Sequence, residues 1–316
     1  MLRRTLLLSL ATPALAQNFP DQPIRVIIPF PPGGPADTIA RLLERPLRAM
    51  LGQPLVLEHR SGAGGVVGME AVARARPDGH TIGLGSTGAL VVAPHLMPRM
   101  PYDPVRDLAP VGEVLSVPHL LVVPAAFPAR NVAELVAMAR AAPGSISYAS
   151  AGIGSSLHLG AELFRQRAGI DITHVPYRGA APAITDVVAG RVQMMMGDIT
   201  GLLPQVRGGA LRALGISAAT RFTELPDVPT IIEAGVPGVI SDTFYGVLAP
   251  SGVPTERIAL LSRALLGALA EPETRAALAA QGGSIIASTP EDFATRLRAS
   301  SINWAEVVRA GNIRME

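Results

Sequence analysis

Apolar positions along the chain recur with two spacings, one typical of short buried strands and one typical of helices. The strand-like runs are IRVIIPF (24–30), PLVLEH (54–59), TIGLGS (81–86), ISYAS (146–150), THVPY (173–177), VQMMMGD (192–198) and LRALGIS (211–217). Segments with helical spacing separate most of them, so the pattern predicts two βαβ units built on parallel sheets. The three methionines of VQMMMGD are expected to be core residues of a buried strand.

Residues typical of helix ends frame the helical segments. Starts are predicted at Asn131, followed by Glu134, and at Thr289, followed by Asp292, and stops are predicted at Gly52, Gly169 and Gly190. After residue 250 come helices over 254–280, a short strand in SIIAS (284–288) and a last helix to about residue 310. These elements are too few for a third domain and are expected to complete the first unit.

Two segments are candidates for crossings between the units, HLLVVP (119–124) and FYGVLAP (244–250). They predict an α/β protein of two lobes with a central cleft and two hinge strands. Lobe I is discontinuous, over 17–121 plus 248–316, and lobe II is continuous, over 122–247. The cleft is expected to face the carboxyl ends of the strands, where open α/β sheets bind ligands.

The first sixteen residues have the pattern of a signal peptide. Arg3 and Arg4 precede an apolar run that is too short to span a membrane, and Ala14 and Ala16 form an A-x-A site. We expect cleavage near Ala16 and export. The arginine pair also allows a twin-arginine signal, so the sequence leaves the export route open.

Composition narrows the function further. Without Arg3 and Arg4 the 27 basic residues become 25, equal to the 25 acidic residues. A chain of zero net charge, with no basic tail and only 4% aromatic residues, is a poor candidate for binding nucleic acid or a membrane surface. The absence of cysteine excludes disulfides and thiolate chemistry.

Four loops that follow predicted strands share a composition of Gly, Ser and Thr. They are PPGGPADT (31–38), SGAGG (61–65), GSTG (85–88) and SAGIGSS (150–156). At one edge of a sheet, backbone N–H groups, helix N-termini and hydroxyls from such loops can hold a carboxylate without a cation. Ordinary turn chemistry is the alternative for each loop taken singly.

The first of these loops lacks the lysine that a phosphate loop requires. Gly34 is placed as the N-cap of the following helix, where Asp37 can bond back to the turn and complement the helix dipole. Pro31, Pro32 and Pro35 stiffen the loop. The SGAGG loop has Val67 where a dinucleotide fingerprint needs its third glycine, so a nucleotide site is not predicted.

Two titratable residues are candidates for the cleft. His158 lies on the first turn of a predicted helix, where it either orients the SAGIGSS loop or touches the ligand. Asp198 ends a buried strand. It could accept from a ligand ammonium or hydroxyl, act through water, or cap the helix that starts near Thr200. The six histidines show no metal spacing.

An exported hydrolase with Ser86 or Ser155 as nucleophile is a second hypothesis. No G-x-S-x-G motif is present and no acid and base partners are evident in the sequence, so a binding protein is favoured over an enzyme. A third hypothesis is a sensor lobe that passes ligand occupancy to a membrane signalling partner.

Several segments resemble the Bug receptors, the periplasmic solute-binding receptors of tripartite tricarboxylate transporters. They are PIRVIIPFPPGGPADTIAR, LVLEHRSGAGGVVGMEAVARARPDGHTIGLGS, SISYASAGIGSSLHLGAELF, HVPYRGAAPAITDVVAGRVQMMMGD, LRALGISAATRFTELPDVPTIIEAGVPG and YGVLAPSGVP. The resemblance covers nearly all of the chain after the signal segment. It implies a two-lobed, type II periplasmic-binding-protein fold that closes on a small organic acid and delivers it to a membrane permease, without catalysis.

The resemblance also implies a division of the site. The loop from Phe30 to Asp37 grips one carboxylate through amides and ordered water, the loop from Ala151 to Ser156 with residues 177–183 holds the far end, and Asp198 faces the cleft. Together with the glycine loops, this gives the predicted ligand-binding residues Phe30, Pro31, Gly33, Gly34, Ala36, Asp37, Ser86, Thr87, Ala151, Gly154, Ser155, Ser156, His158, Tyr177, Gly179, Ala180 and Asp198.

No cofactor, metal site or nucleic-acid partner is predicted, and such receptors usually act as monomers. Two positions depart from the usual pattern, His59 in place of Asn and Phe244 in place of Trp, and both bear on ligand identity. Arg178 is a candidate cation for the ligand or else a solvent-facing charge.

Overall fold

The structure is a computed structural model that describes residues 19–280, 282–311 and 313. The predicted signal peptide, residues 1–16, lies outside these ranges. Within them, no helix combines the length and the apolar character that crossing a membrane requires.

The described residues form the predicted alternation of strands and helices. The strands are β1 (Ile24–Ile28), β2 (Leu55–His59), β3 (Thr81–Ser86), β4 (Leu108–Pro124), β5 (Ser147–Ser150), β6 (Thr173–Pro176), β7 (Met194–Asp198), β8 (Leu211–Ile216), β9 (Asp242–Pro250) and β10 (Ser284–Ile285). The helices are α1 (Pro35–Leu51), α2 (Val66–Ala73), α3 (Ala93–Leu96), α4 (Val132–Ala141), α5 (Ser156–Ala168), α6 (Ala180–Val188), α7 (Ile199–Arg207), α8 (Thr255–Ala270), α9 (Pro272–Ala280) and α10 (Pro290–Gly311). A short 3-10 helix (Ala63–Gly65) precedes α2, and a π-helical turn (Gly88–Val92) precedes α3.

The strands follow the order β2-β1-β3-β9-β4-β7-β5-β6, with β8 and β10 also paired to β4. The pairs β1/β2, β1/β3, β5/β6 and β5/β7 are parallel, as the βαβ pattern predicts. We call β1, β2, β3 and β10 with their helices lobe I, and β5 to β8 with their helices lobe II. The predicted two-lobed α/β class is confirmed.

Strand β4 is the physical link between the lobes. Its residues Leu108 to Pro118 pair with β9 in the sheet of lobe I, and residues from His119 onward pair with β7 and β8 in the sheet of lobe II. The chain returns to lobe I at Asp242, where β9 begins and pairs with Pro118 of β4. Both predicted crossings therefore lie on hinge strands, and β4 is longer than the HLLVVP segment alone.

Helix ends follow the predicted local chemistry. The Asn131 side chain accepts the N–H of Glu134 at 2.9 Å, and the Glu134 carboxylate accepts the N–H of Arg130 at 2.7 Å. Gly52 and Gly169 end α1 and α5 in the left-handed conformation that glycine adopts without strain. Buried apolar side chains fill both lobes, and Met194, Met195 and Met196 are fully buried, as expected for a core strand.

The capping of α4 yields the first prediction. Asn131→Ala removes the cap from an exposed helix start in lobe II, away from the glycine loops, and should lower the free energy of unfolding by about 1 kcal/mol. Urea unfolding followed by circular dichroism measures this change. The affinity for a bound acid should stay unchanged, and an unchanged urea midpoint would contradict the role assigned to the cap.

Candidate functional site

The glycine loops of the two lobes face each other across a cleft with two compartments. The inner compartment, which we call the chamber, has a volume of about 20 Å³. Its lining residues are Phe30, Pro31, Gly34, Pro35, Ala36, Ser86, Ala151, Ser155, Ser156, Leu157, Ala180, Asp198, Thr243 and Tyr245. A cavity of that size holds about one water, so the lobes are closed on each other.

The outer compartment, which we call the mouth, has a volume of about 250 Å³. It is lined by Phe30, Gly62, Ala63, Gly64, Gly65, Ala151, Gly152, Ile153, Pro176, Tyr177 and Arg178. Phe30 and Ala151 line both compartments and mark the boundary between them. A larger cavity of about 800 Å³ lies elsewhere, on lobe I between residues 97–106 and α10, away from the glycine loops.

Four helices begin at the chamber. Ala36 of α1, Ser156 of α5 and Ala180 of α6 line it, and Asp198 immediately precedes α7. The N-caps of α1, α6 and α7 make no side-chain capping hydrogen bond, so their first-turn N–H groups are not satisfied by a cap. The partial positive charge of helix N-termini therefore collects at one point, which favours an anion there.

Asp37 fixes the first glycine loop from behind. Its Oδ2 accepts the N–H of Gly33 at 2.9 Å and the Nε of Arg41 at 3.0 Å, and its Oδ1 lies 2.7 Å from Nε2 of His59. Burial opposes ionisation, but these hydrogen bonds outweigh it and hold the pKa of Asp37 below its usual value. Asp37 is buried outside the chamber lining, whereas Gly34 lines the chamber.

His158 supports the SAGIGSS loop of lobe II, as Asp37 supports the first loop of lobe I. Its Nδ1 accepts the N–H of Gly154 at 3.3 Å, and its ring stacks on that of His174 at 4.1 Å between centroids. Burial lowers the pKa of His158 to about 4, so the ring is neutral at pH 7. The geometry gives His158 contacts that orient the loop and does not place it among the lining residues.

Asp198 is turned toward hinge strand β9. Its Oδ1 accepts from the Thr243 hydroxyl at 2.5 Å and its Oδ2 accepts from the Tyr245 hydroxyl. Thr243 Oγ1 also lies 2.6 Å from Ser156 Oγ and 3.0 Å from His119 Nε2. The Asp198 side chain makes no capping hydrogen bond to α7. Asp198 therefore lines the chamber, and its carboxylate is hydrogen-bonded to the hinge strand β9.

Several hydroxyls of the loops are hydrogen-bonded within the protein. Ser155 Oγ donates to the carbonyl of Gly152 at 2.7 Å, and Thr87 Oγ1 accepts the N–H of Phe244 at 2.8 Å. Among the described residues, neither Ser86 nor Ser155 has a hydroxyl bonded to an imidazole or a carboxylate. The described part of the chain also contains no group of three or more His, Asp or Glu side chains placed to hold a metal.

Three predicted or candidate residues of lobe II, Tyr177, Arg178 and Gly179, lie near the mouth and differ in their exposure to solvent. Tyr177 lines the mouth and donates its hydroxyl to Asp186 at 2.7 Å, while Arg178 is exposed at the same opening. Gly179 has φ +140°, and a Cβ built there would lie 2.8 Å from Cδ of Pro31 in the opposite lobe. A side chain at 179 would thus collide with the first loop.

Closure depends on glycines that meet backbone across the cleft. A Cβ at Gly64 would lie 2.8 Å from the carbonyl oxygen of Ile153, and a Cβ at Gly88 would lie 2.9 Å from that of Gly154. Such distances are shorter than real side-chain contacts allow. The SGAGG and GSTG loops therefore contribute to the cleft by bringing the lobes close together.

Sequence reasoning missed four chamber residues, Pro35, Leu157, Thr243 and Tyr245. Thr243 and Tyr245 are two positions apart on β9, so their side chains lie on one face of the strand. Polar residues at i and i+2 in a hinge strand are the signal that could have identified them. Pro35 and Leu157 are sequence neighbours of predicted site residues, and they lie in the first turns of α1 and α5.

The glycine contacts yield a prediction on closure. The backbone of Gly88 lies outside the positive-φ region, so Gly88→Ala should fold, but its methyl group should prevent full closure. We expect the affinity for a bound acid to fall at least tenfold and the radius of gyration with ligand to exceed that of the wild type by small-angle scattering.

The matched control is Gly267→Ala on α8, where the added Cβ meets only the flexible end of the Met50 side chain. It should leave both measurements unchanged. Wild-type affinity in Gly88→Ala would show that closure tolerates a methyl group at this contact.

Over most of its length the chain is similar to known proteins of one family. A family model described as tripartite tricarboxylate transporter family receptor matches residues 39–313. A UPF0065 protein from the tcbD-tcbE intergenic region of Pseudomonas sp. (strain P51) is 41% identical, over 92% of this chain and 86% of the relative. Protein BugT of Bordetella pertussis (strain Tohama I) is 39% identical, over 95% of this chain and 92% of its own length.

Solved structures show the same architecture. The periplasmic binding protein BugD superposes with a TM-score of 0.91 at 31% identity, over 94% of this chain and all of BugD. The R. palustris protein Rpa4515 with adipate superposes with a TM-score of 0.91 at 33% identity, over 94% of this chain and 99% of Rpa4515. MatC from Rhodopseudomonas palustris with bound malate superposes with a TM-score of 0.89 at 34% identity, over 92% of this chain and all of MatC. These neighbours confirm the predicted periplasmic-binding-protein fold.

Proposed function

The chain belongs to the tripartite tricarboxylate transporter receptor family, and on that premise we propose that it captures a small organic acid in its cleft and delivers it to the membrane permease of such a transporter. The family consists of receptors, and its solved members are binding proteins, so the chain is a solute-binding protein and not an enzyme. The observation that carries the proposal is the convergence of four helix N-termini on one chamber.

The ligand class follows from the chemistry of the chamber. Its lining residues include no arginine or histidine, and the sequence has no lysine, so positive potential comes from backbone dipoles. Carboxylates suit such a site because each oxygen accepts hydrogen bonds directly from N–H groups or through water. Structural neighbours with adipate and malate support a carboxylate ligand.

We assign the two ends of the ligand to the two loops. Gly34, Ala36 and Ser86 belong to the lobe I side of the chamber, and Ser155 and Ala180 belong to the lobe II side. The chamber in this arrangement is smaller than an organic acid, so the lobes separate about β4 and β9 to admit the acid and then close around it with the chamber enlarged. Stiff prolines in the first loop lower the ordering cost of binding.

Export to the periplasm fits this role. The family neighbours are periplasmic binding proteins, and we propose that residues 1–16 direct export and are removed near Ala16. Delivery to permease subunits as a monomer, without a cofactor, completes the proposal.

A thermal-shift screen tests the ligand class. Adipate, malate, succinate, citrate, aspartate and nicotinate are each added to the mature protein at pH 6. An acid present at 100 times its Kd stabilises the folded state by about 2.7 kcal/mol, a rise in Tm of about 5 °C for a chain of this size. If no acid raises Tm, the carboxylate assignment is wrong.

A substitution in the first loop tests the site. Gly34 has φ −91° and ψ 175°, which valine adopts readily, and an added Cβ finds only the Pro31 carbonyl oxygen, at 3.9 Å. Gly34→Val should therefore fold normally, fill part of the chamber and weaken the binding of the acid found above at least a hundredfold by calorimetry. Gly33→Val is the contrasting variant, since φ +84° at Gly33 adds backbone strain and should also lower Tm. Wild-type affinity in Gly34→Val would remove the loop from the site.

A further inference from the structure

Asp198 is a buried acid in a chamber whose other features favour anions. The residue is 2% exposed, and both carboxyl oxygens accept hydrogen bonds from neutral hydroxyls, those of Thr243 and Tyr245. A carboxylate ligand in the chamber would therefore bring a second negative charge next to this one. In a site of low dielectric, that repulsion is large unless one of the two groups is neutral.

The charged and titratable groups around Asp198 do not supply the missing positive charge. On β4, His119 Nε2 lies 3.6 Å from Asp198 Oδ1, but burial holds the pKa of His119 below its usual value, so the ring is neutral at pH 7. On β9, Tyr245 is a neutral donor and Asp242 is a further acid, which pairs with Arg296 of α10 at 2.6 Å. Helices α1, α5 and α6 contribute only uncharged residues to the chamber lining.

These contacts lead to an inference about what binds, and it rests on the function proposed above. We propose that a carboxylate ligand without its own hydrogen-bond donor enters the chamber together with one proton, which Asp198 takes up. The proton comes from solvent and forms an O–H bond on Asp198, and no other bond is made or broken. The neutral carboxyl then donates to a carboxylate oxygen of the ligand, as two acids sharing one proton do.

The same arrangement divides organic acids into two groups. An acid with an ammonium or hydroxyl group against Asp198 can donate to the ionised carboxylate and needs no added proton. An acid without such a donor, such as adipate or succinate, needs the proton. Asp198 is thus a specificity-determining residue whose preference changes with pH.

The sign of the pH dependence follows from the ionisation of Asp198 before binding. Burial raises the pKa of Asp198 to about 6, against the lowering effect of the Thr243 and Tyr245 hydrogen bonds. Below that pH Asp198 already carries the proton and adds no pH dependence of its own. Above it, each pH unit should raise the Kd for adipate about tenfold, because the proton must be taken from a more dilute pool.

Isothermal titration calorimetry with adipate tests the inference directly. Titrations at pH 5 and pH 7.5, each in two buffers of different ionisation enthalpy, count the protons taken up. Succinate serves as a second probe of the same kind. We expect close to one proton taken up per adipate at pH 7.5, where adipate is a dianion, and clearly less uptake at pH 5, where Asp198 already carries its proton.

Two variants separate Asp198 from other groups. Asp198→Asn keeps the shape and is always neutral, so between pH 6.5 and pH 8, where adipate is a dianion, it should take up no proton and bind adipate with one affinity. Tyr245→Phe removes a donor that stabilises the ionised carboxylate, so the pH dependence should persist with its midpoint at higher pH. A merely structural Asp198 would change Tm without changing the proton count.

Each outcome decides the matter. Adipate or succinate binding at pH 7.5 without proton uptake in the wild type overturns the inference and leaves the proposed function intact. Proton uptake that persists in Asp198→Asn assigns the proton to another group and also overturns it. Failure of every acid in the thermal-shift panel to raise Tm at pH 6 overturns the proposed function and this inference with it.

Discussion

The structure depends on one strand that belongs to two sheets. Strand β4 pairs with β9 up to Pro118 and with β7 and β8 from His119, so the backbone hydrogen bonds of both lobes end on the same chain segment. Rotation of the lobes would be absorbed near this change of partner, because the ladder with β9 and the ladders with β7 and β8 meet there. The side chains beside it, His119 and Thr243 among them, are also those that reach Asp198. Hinge and chamber are therefore adjacent, because Asp198 and Thr243 line the chamber and are hydrogen-bonded to each other beside the point where β4 changes partner.

Some elements of the fold could be predicted from the sequence and others could not, and the reasons are physical. Parallel strands buried on both faces leave continuous apolar runs, and caps such as Asn131 and Gly169 are local, so both were readable. Strand β4 was identified only in its second half. Its first half, LAPVGEVLSVP, contains two prolines, glycine and glutamate, and it is held in the sheet by long-range pairing that no local pattern reveals.

The candidate site shows the same division. Glycine loops after strands and helix starts are local features, and they located most of the chamber. Asp198 was identified from its place at a strand end, but its partners Thr243 and Tyr245 were missed because 45 or more residues separate them in the chain. The role of His158 was left open between two alternatives, and the distinction required the three-dimensional position of Gly154. Contacts between distant segments, and the direction in which a side chain points, are the properties that a single sequence does not contain.

The source of positive potential in the chamber has an evolutionary consequence. Helix N-termini consist of main-chain atoms, which substitution of a side chain does not remove, so the capacity to attract an anion is robust to most point mutations. The residues that shape the walls, such as Leu157 and Ala180, can change size without any loss of that attraction. Under the proposed function, a few substitutions of wall residues would change which acid fits, while the helix N-termini would still favour an anion. The attraction for an anion would then depend on the backbone, and the choice among acids would depend on the side chains of the walls.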